Sequence, residues 1–242
     1  MTTPRATDRR ERLQRNLEEI NGRIAEACRR SGRGPDAVRL IAVTKYVDVA
    51  TARVLCELGC RDLGESRPQS LWEKAAAMAD LDAPPRWHLV GHLQRNKVRR
   101  TLPVMGLLHS LDSRRLLDAL EAEGREAGLV CEALVEVNLT AGGGRTGLDP
   151  AAARALVAAG VGSAHVRIVG LMGMAAAPAD AAESARQAFA RLRALRDDIA
   201  AGIPEAGGLP ELSMGMSGDF EDAIHEGATL VRIGSALFDG VV

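Results

Sequence analysis

Apolar positions follow two alternating periods along this chain. From about Asp8 to Arg30, Leu13, Leu17, Ile20, Ile24 and Ala27 recur at steps of four and three, which predicts a charged helix with one apolar stripe. After SGRGPD the run RLIAVTK (39–45) predicts a strand. Val47, Thr51, Val54, Leu55 and Leu58 then share one face of a helix that Gly59 stops. Short apolar runs return at RDLGES (61–66), RWHLVGH (86–92), GLLHSLD (106–112), CEALVEVNL (131–139), VRIVGLMGM (166–174), ELSMGMS (211–217) and TLVRIGSALF (229–238).

Between these runs the periodicity predicts helices over roughly Pro68–Ala79, Leu93–Leu102, Ser113–Ala127, Pro150–Ala159, Asp180–Ala201 and Gly218–Glu226. Asp149 before Pro150 reads as a capping carboxylate followed by a proline whose missing N–H is not needed there. Gly160 and Gly227 are expected just past helix ends, where a left-handed residue is wanted.

Strands apolar on both faces and separated by helices imply a parallel sheet, and eight such units predict a closed (β/α)8 TIM-like barrel. An open doubly wound sheet is the alternative. The last strand has little chain after it, so the N-terminal helix is expected to cover the place of the missing final helix. The organisation expected is one domain over residues 1–242, with a cover helix at about 8–30 and the barrel at about 39–240.

Composition narrows the function classes. A chain that is 46% hydrophobic and 26% charged reads as globular rather than disordered. Only 2% aromatic residues and a net charge of −1 argue against base-stacking platforms and against a field that gathers nucleic acid or anionic membrane. The N-terminus has no apolar core after its basic residues and no run of eighteen apolar residues occurs, so a cytoplasmic protein without a membrane span is expected. Cys28, Cys56, Cys60 and Cys131 are expected to be reduced core thiols, with the Cys56/Cys60 pair at i, i+4 lacking a histidine to complete a metal site.

In a barrel of this kind chemistry gathers at the carboxyl ends of the strands. Lys45 ends the first run, where desolvation at an apolar mouth can make its amine nucleophilic towards an aldehyde. It is one of three lysines; Lys74 in WEKAAA and Lys97 in RNKVRR read as solvated helix charges. LSMGMSGDFEDAIHEG (212–227) turns from strand to helix through small residues, so helix N–H groups and the Ser217 hydroxyl can hold a phosphate. Arg232 lies inside an apolar strand with Gly234 and Ser235 just beyond, a guanidinium and backbone amides together. Barrel phosphate sites often use the loops after strands seven and eight, which here carry Ser217 and Gly234-Ser235.

Other features read more plainly. His88, His92 and His109 invite a dinuclear metal reading, but no Asp/Glu ligand spacing accompanies them and satisfied polar groups at the barrel rim are expected. AGGGRTG (141–147) reads as a flexible loop, and RNKVRR as a solvated face or a docking site for an anion. No G-x-S-x-G elbow, G-x-G-x-x-G fingerprint or Walker loop follows a strand.

AVTK (42–45), LGES (63–66), WHLVGHLQRNKVR (87–99), HSLDS (109–113), VNL (137–139), GLMGMA (170–175), LSMGMSGDFEDAI (212–224) and VRIGSALFDG (231–240) together resemble the pyridoxal phosphate homeostasis protein family. That family is similar to the barrel half of alanine racemase, of fold type III. The resemblance implies pyridoxal 5′-phosphate (PLP) as cofactor, joined to Lys45 as a Schiff base. It places Met216, Ser217, Gly234 and Ser235 around the phosphate and Arg232 at the pyridine nitrogen. The chain departs from the family at Ser66, commonly Asn, and at Tyr46, which bears on the cofactor contacts there.

A fold-type III racemase needs a second proton-transfer group opposite the lysine, usually a tyrosine from another domain; the only tyrosine here, Tyr46, adjoins Lys45. The expected function is therefore reversible PLP holding for vitamin B6 homeostasis by a monomer that delivers PLP to PLP-dependent apo-enzymes. The alternative is a PLP-dependent racemase or related enzyme of low activity.

Overall fold

The computed structural model describes residues 6–140, 146–176 and 183–241. Eight strands close in sequence order into a parallel barrel: β1 (Arg39–Val43), β2 (Asp62–Glu65), β3 (Arg86–Leu89), β4 (Leu107–Leu111), β5 (Cys131–Asn138), β6 (Val166–Met174), β7 (Glu211–Ser213) and β8 (Leu230–Ile233). Closure is made by β1 against β8, with Ile41 opposite Arg232 and Ala42 opposite Ile233. The open-sheet alternative is thereby excluded.

Helix α1 (Ala6–Arg30) precedes the barrel, and α2 (Val49–Glu57), α3 (Pro68–Ala77), α4 (Val98–Thr101), α5 (Arg114–Ala127), α6 (Pro150–Gly160), α7 (Ala185–Gly202) and α8 (Phe220–His225) follow the first seven strands. Among the described residues no helix follows β8, and α1 takes that place as its stripe predicts: Leu13, Leu17, Ile20, Ile24 and Ala27 are all buried. Its polar face is tied down as well. Asn16 Nδ2 donates to the carbonyls of Leu237 and Asp239 after β8, and the Arg23 guanidinium pairs with Glu221 and lies over the Phe220 ring on α8. Among the described residues no helix is long and apolar enough to cross a membrane.

Several boundaries differ from the pattern. The helix expected over 93–102 is reduced to a 3-10 turn (Arg95–Lys97), the single turn α4 and a second 3-10 turn (Leu102–Val104); Pro103 has no N–H with which to continue the α-helical bonding beyond α4. β7 ends at Ser213 instead of 217, since the chain bends through Gly215 at φ 91°. β8 likewise gives way to turns after Ile233. Gly160 is the last residue of α6 and the left-handed residue is Gly162; a Cβ at 160 would lie 2.5 Å from Ile168 Cδ1, so the missing side chain serves helix-to-strand contact. The start expected at Asp180 lies outside the described residues; α7 begins after Ser184, which with Gln187 forms a capping box. Asp149 caps α6 through Ala152 N, and Gly59 and Gly227 adopt the expected left-handed backbone.

Strand alternation separates two cores. Outward residues join the helices in one continuous apolar shell, while Ile41, Leu107, Leu134, Met172 and Leu230 form a small apolar cluster inside the barrel. The strands come very close at one point: a Cβ on Gly170 of β6 would sit 1.8 Å from the Glu211 carbonyl oxygen on β7. Gly170→Ala must therefore part these strands, and its urea unfolding is expected to show a loss of about 1–3 kcal/mol, the usual range for overpacking.

Candidate functional site

The carboxyl ends of the strands open into a cavity of about 680 Å³. Lys45, Ser66, Met216, Ser217, Arg232, Gly234 and Ser235, drawn from β8 itself and from the segments that follow β1, β2, β7 and β8, all line it, together with Val43, Tyr46, Val90, Met174, Gly218 and Phe238. A charged depression of about 580 Å³ lies at the opposite end of the barrel, but its Arg39, Arg86, Arg167, Glu132 and Glu211 are paired with one another.

Lys45 lies two residues past the end of β1 and is exposed rather than buried, so the barrel wall itself does not desolvate it as expected. Its Nζ stands 4.8 Å from the centroid of the Tyr46 ring, which is itself 80% exposed. The turn that carries Lys45 is held from below. Lys74 Nζ donates to the Thr44 carbonyl at 2.6 Å and to Glu65 Oε1 at 2.5 Å, and Thr44 Oγ1 donates to the same carboxylate oxygen at 2.7 Å. Lys74 is thus a buried ion-pair member and not the solvated charge its helix suggested: its carbon stem reaches inward from α3. Glu65 Oε2 is buried with no partner.

One wall of the cavity is made of the two segments after β7 and β8. Ser217 Oγ accepts from Ala236 N at 3.3 Å, joining the two turns. Met216 N donates to Asp219 Oδ1 at 2.6 Å, so this amide is already committed. Burial raises the Asp219 pKa from its ordinary value, against the lowering effects of the Met216 amide and Arg232. Gly218 and Gly234 have no left-handed backbone, and a Cβ would meet nothing within 4 Å at Gly218 and only Val43 at 3.4 Å or beyond at Gly234. Internal packing does not require glycine at either place; bare backbone there leaves the room a phosphate group needs.

Arg232 is buried, with Nη1 donating to Ser213 Oγ at 2.6 Å and Nη2 to the Gly173 carbonyl at 3.1 Å. Burial brings its pKa down to about 10, with Asp219 and Glu136 opposing, so it remains charged at neutral pH. Glu136, which accepts from Thr146 Oγ1 at 2.6 Å, is raised by its own burial. Neither carboxylate stood out in the sequence, because nothing in the local pattern reveals which acidic residues the fold brings near Arg232.

The histidines are hydrogen-bonded to protein: His88 to Asp62 and His109, His109 to Ser213, and His92 to Asp112. Among the described residues no group of His, Cys, Asp and Glu is arranged to hold a metal. Cys60 falls beyond α2, so it shares no helix face with Cys56; all four thiols are free and buried, and burial pushes Cys60 and Cys131 up to about 12. In RNKVRR, Arg99 pairs with Glu123 and Glu126 and Arg100 stacks on Trp72, so two of the charges have structural partners. The first five residues of AGGGRTG lie outside those described.

Burial holds His88 and, more strongly, His109 below the ordinary histidine pKa. The unfolded chain therefore binds more protons than the folded one just below about pH 6.5, and each such ring can remove up to about 1.4 kcal/mol of stability per pH unit there. Asp62 does not offset this, since its pKa is depressed and its contribution is lost only at lower pH. Urea midpoints are expected to fall between about pH 7 and 6; a flat profile would contradict buried neutral histidines.

The sequence profile of the alanine racemase N-terminal domain matches residues 12–240. The pyridoxal phosphate homeostasis protein of Aquifex aeolicus is 38% identical over 228 residues, covering 94% of this chain and 96% of the relative. That of Pseudomonas aeruginosa is 40% identical over 232 residues, covering 93% and 94%. The chain belongs to the pyridoxal phosphate homeostasis protein family. Among solved structures of this kind, PipY of Synechococcus elongatus with PLP bound superposes with a TM-score of 0.80 at 34% identity, covering 93% of this chain and 99% of PipY. An alanine racemase of Streptomyces lavendulae shares the fold, with a TM-score of 0.73 at 21% identity; the match covers 95% of this chain and 57% of the racemase. The barrel of this homeostasis-family chain is thus the racemase-type barrel.

Proposed function

We propose that this chain binds PLP, holds it reversibly as a Schiff base on Lys45 and releases it to PLP-dependent apo-enzymes, as a vitamin B6 homeostasis protein. The observation that carries this reading is the convergence of Lys45, Ser66, Met216, Ser217, Arg232, Gly234 and Ser235 on one cavity. The amine of Lys45 supplies the nucleophile for the aldehyde. Ser217, Gly234 and Ser235, with Met216 beside them, take the phosphate through hydroxyl and backbone donors, and Ser66 borders the cofactor from the β2 side. PLP supplies an aldehyde and an electron-withdrawing ring.

Arg232 faces the pyridine nitrogen in this reading. A charged guanidinium can only donate there, so the nitrogen stays unprotonated and the ring withdraws electrons weakly. That suits storage and transfer better than carbanion chemistry. Tyr46, stacked against Lys45, stands on the lysine's own side rather than opposite it. We further propose one barrel domain over the whole chain, acting as a monomer in the cytoplasm.

The test is transfer. Loaded protein mixed with an apo PLP-dependent enzyme is expected to restore that enzyme's activity, and the same protein with alanine of either hand is expected to show no turnover. Rapid racemization at Lys45 with no restoration of the acceptor would replace the carrier reading with that of a fold-type III enzyme.

A further inference from the structure

A line of polar groups crosses the barrel interior from the end opposite the cavity. His88 Nε2 lies 2.8 Å from Asp62 Oδ1, His88 Nδ1 lies 2.9 Å from His109 Nε2, and His109 Nδ1 lies 2.8 Å from Ser213 Oγ. Ser213 Oγ then accepts from Arg232 Nη1 at 2.6 Å. His88, His109 and Ser213 have no exposed surface, and Asp62, at the start of β2, is partly exposed at the far rim. The proposed cofactor chemistry uses none of these four groups.

The two ends of this line dictate its direction. A guanidinium donates and never accepts, so the Ser213 oxygen must be the acceptor and its one O–H is free for His109 Nδ1. A carboxylate accepts and never donates, so His88 must offer Nε2–H to Asp62. A neutral imidazole has one N–H and one lone pair, which leaves His109 Nε2–H to donate to His88 Nδ1. Every contact is satisfied by one proton arrangement, read in the same sense from either end. The geometry points to Asp62, His88, His109 and Ser213 as a one-way hydrogen-bond relay that holds Arg232 as a fixed donor towards the cavity.

The relay makes these four groups positioning residues for Arg232. Buried polar groups in series polarise one another, and a chain anchored on a carboxylate draws the guanidinium's Nη1–H inward while Gly173 fixes Nη2. The guanidinium plane is then set before any ligand enters. The role towards the pyridine nitrogen rests on the proposed PLP reading; the proton arrangement does not.

Long-range ¹⁵N imidazole spectra of the full-length protein, recorded with and without PLP, test the arrangement directly. Both His88 and His109 are expected to carry a single proton on Nε2. A proton on Nδ1 of either ring, or a doubly protonated His88 paired with Asp62, would overturn the relay whether or not PLP binds. Ser213→Ala cuts the line beside Arg232. It is expected to release PLP about tenfold faster, the ratio carried by one hydrogen bond to a charged group, and to move the pyridine ¹⁵N resonance of bound labelled PLP. Unchanged release and an unmoved resonance would refute the positioning role, whereas failure of wild-type protein to take up PLP would refute the proposed function and leave the tautomers standing.

Discussion

Lys74→Met is expected to lower the free energy of unfolding by about 3–5 kcal/mol, the cost of leaving a buried carboxylate without its counter-charge. Glu65 is fully buried and its Oε2 already has no partner, so after the substitution only the Thr44 hydroxyl remains on Oε1. The Thr44 carbonyl loses its ammonium donor in the same step. Methionine keeps most of the stem volume, which separates the charge effect from a cavity effect. Lys74→Met combined with Glu65→Leu is expected to recover much of the loss, because replacing a whole buried pair by apolar groups is often neutral. Urea unfolding of both variants decides this; an unaltered midpoint in the single variant would mean that the ion pair is not buried as described. The pair also steadies the residue before Lys45, so the single variant is expected to bind PLP more weakly at temperatures where it remains folded.

Lys45→Ala is expected to reduce PLP retention at least about a hundredfold, or about 2.7 kcal/mol, while leaving the unfolding midpoint nearly unchanged. Lys45 is exposed beyond the end of β1, with no hydrogen bond among those described and only the Tyr46 ring against it, so its removal creates no cavity. In the proposed reading only the covalent link disappears, and the hydroxyls and bare backbone after β7 and β8 remain for the phosphate. Equilibrium dialysis beside urea unfolding separates the two quantities. Equal retention in wild type and variant would show that the phosphate wall, and not the lysine, carries the binding.

Fold and site were legible in the sequence to different depths. Strand order and closure follow from eight apolar runs separated by helical stretches, and the covering role of α1 follows from the stripe Leu13, Leu17, Ile20, Ile24 and Ala27. Lys45 and Arg232 could be singled out because Lys45 ends one apolar run and Arg232 lies inside another, where a charge demands a reason. Lys74 could not. Its helix position resembles any solvated lysine, and only the register that places Glu65 beneath Thr44 reveals its partner. His88 and His109 stood out by type and by strand placement, but their joining depends on how β2, β3, β4 and β7 face one another across a closed interior, which no local period encodes. The short β7 and the broken helix at 95–104 show the same limit on a smaller scale: apolar content marks a run, while Gly215 and Pro103 decide where its regular hydrogen bonding stops.

The central claim is the covalent seat of PLP, and a sequence with lysine only at 45, 74 and 97 makes it open to a direct test. Protein incubated with PLP, reduced with borohydride and digested with trypsin should carry its label in the single peptide running from Leu40 to Arg53, uncleaved after Lys45. Label found on Lys74, Lys97 or the amino terminus instead, or no reducible label at all, would contradict the account.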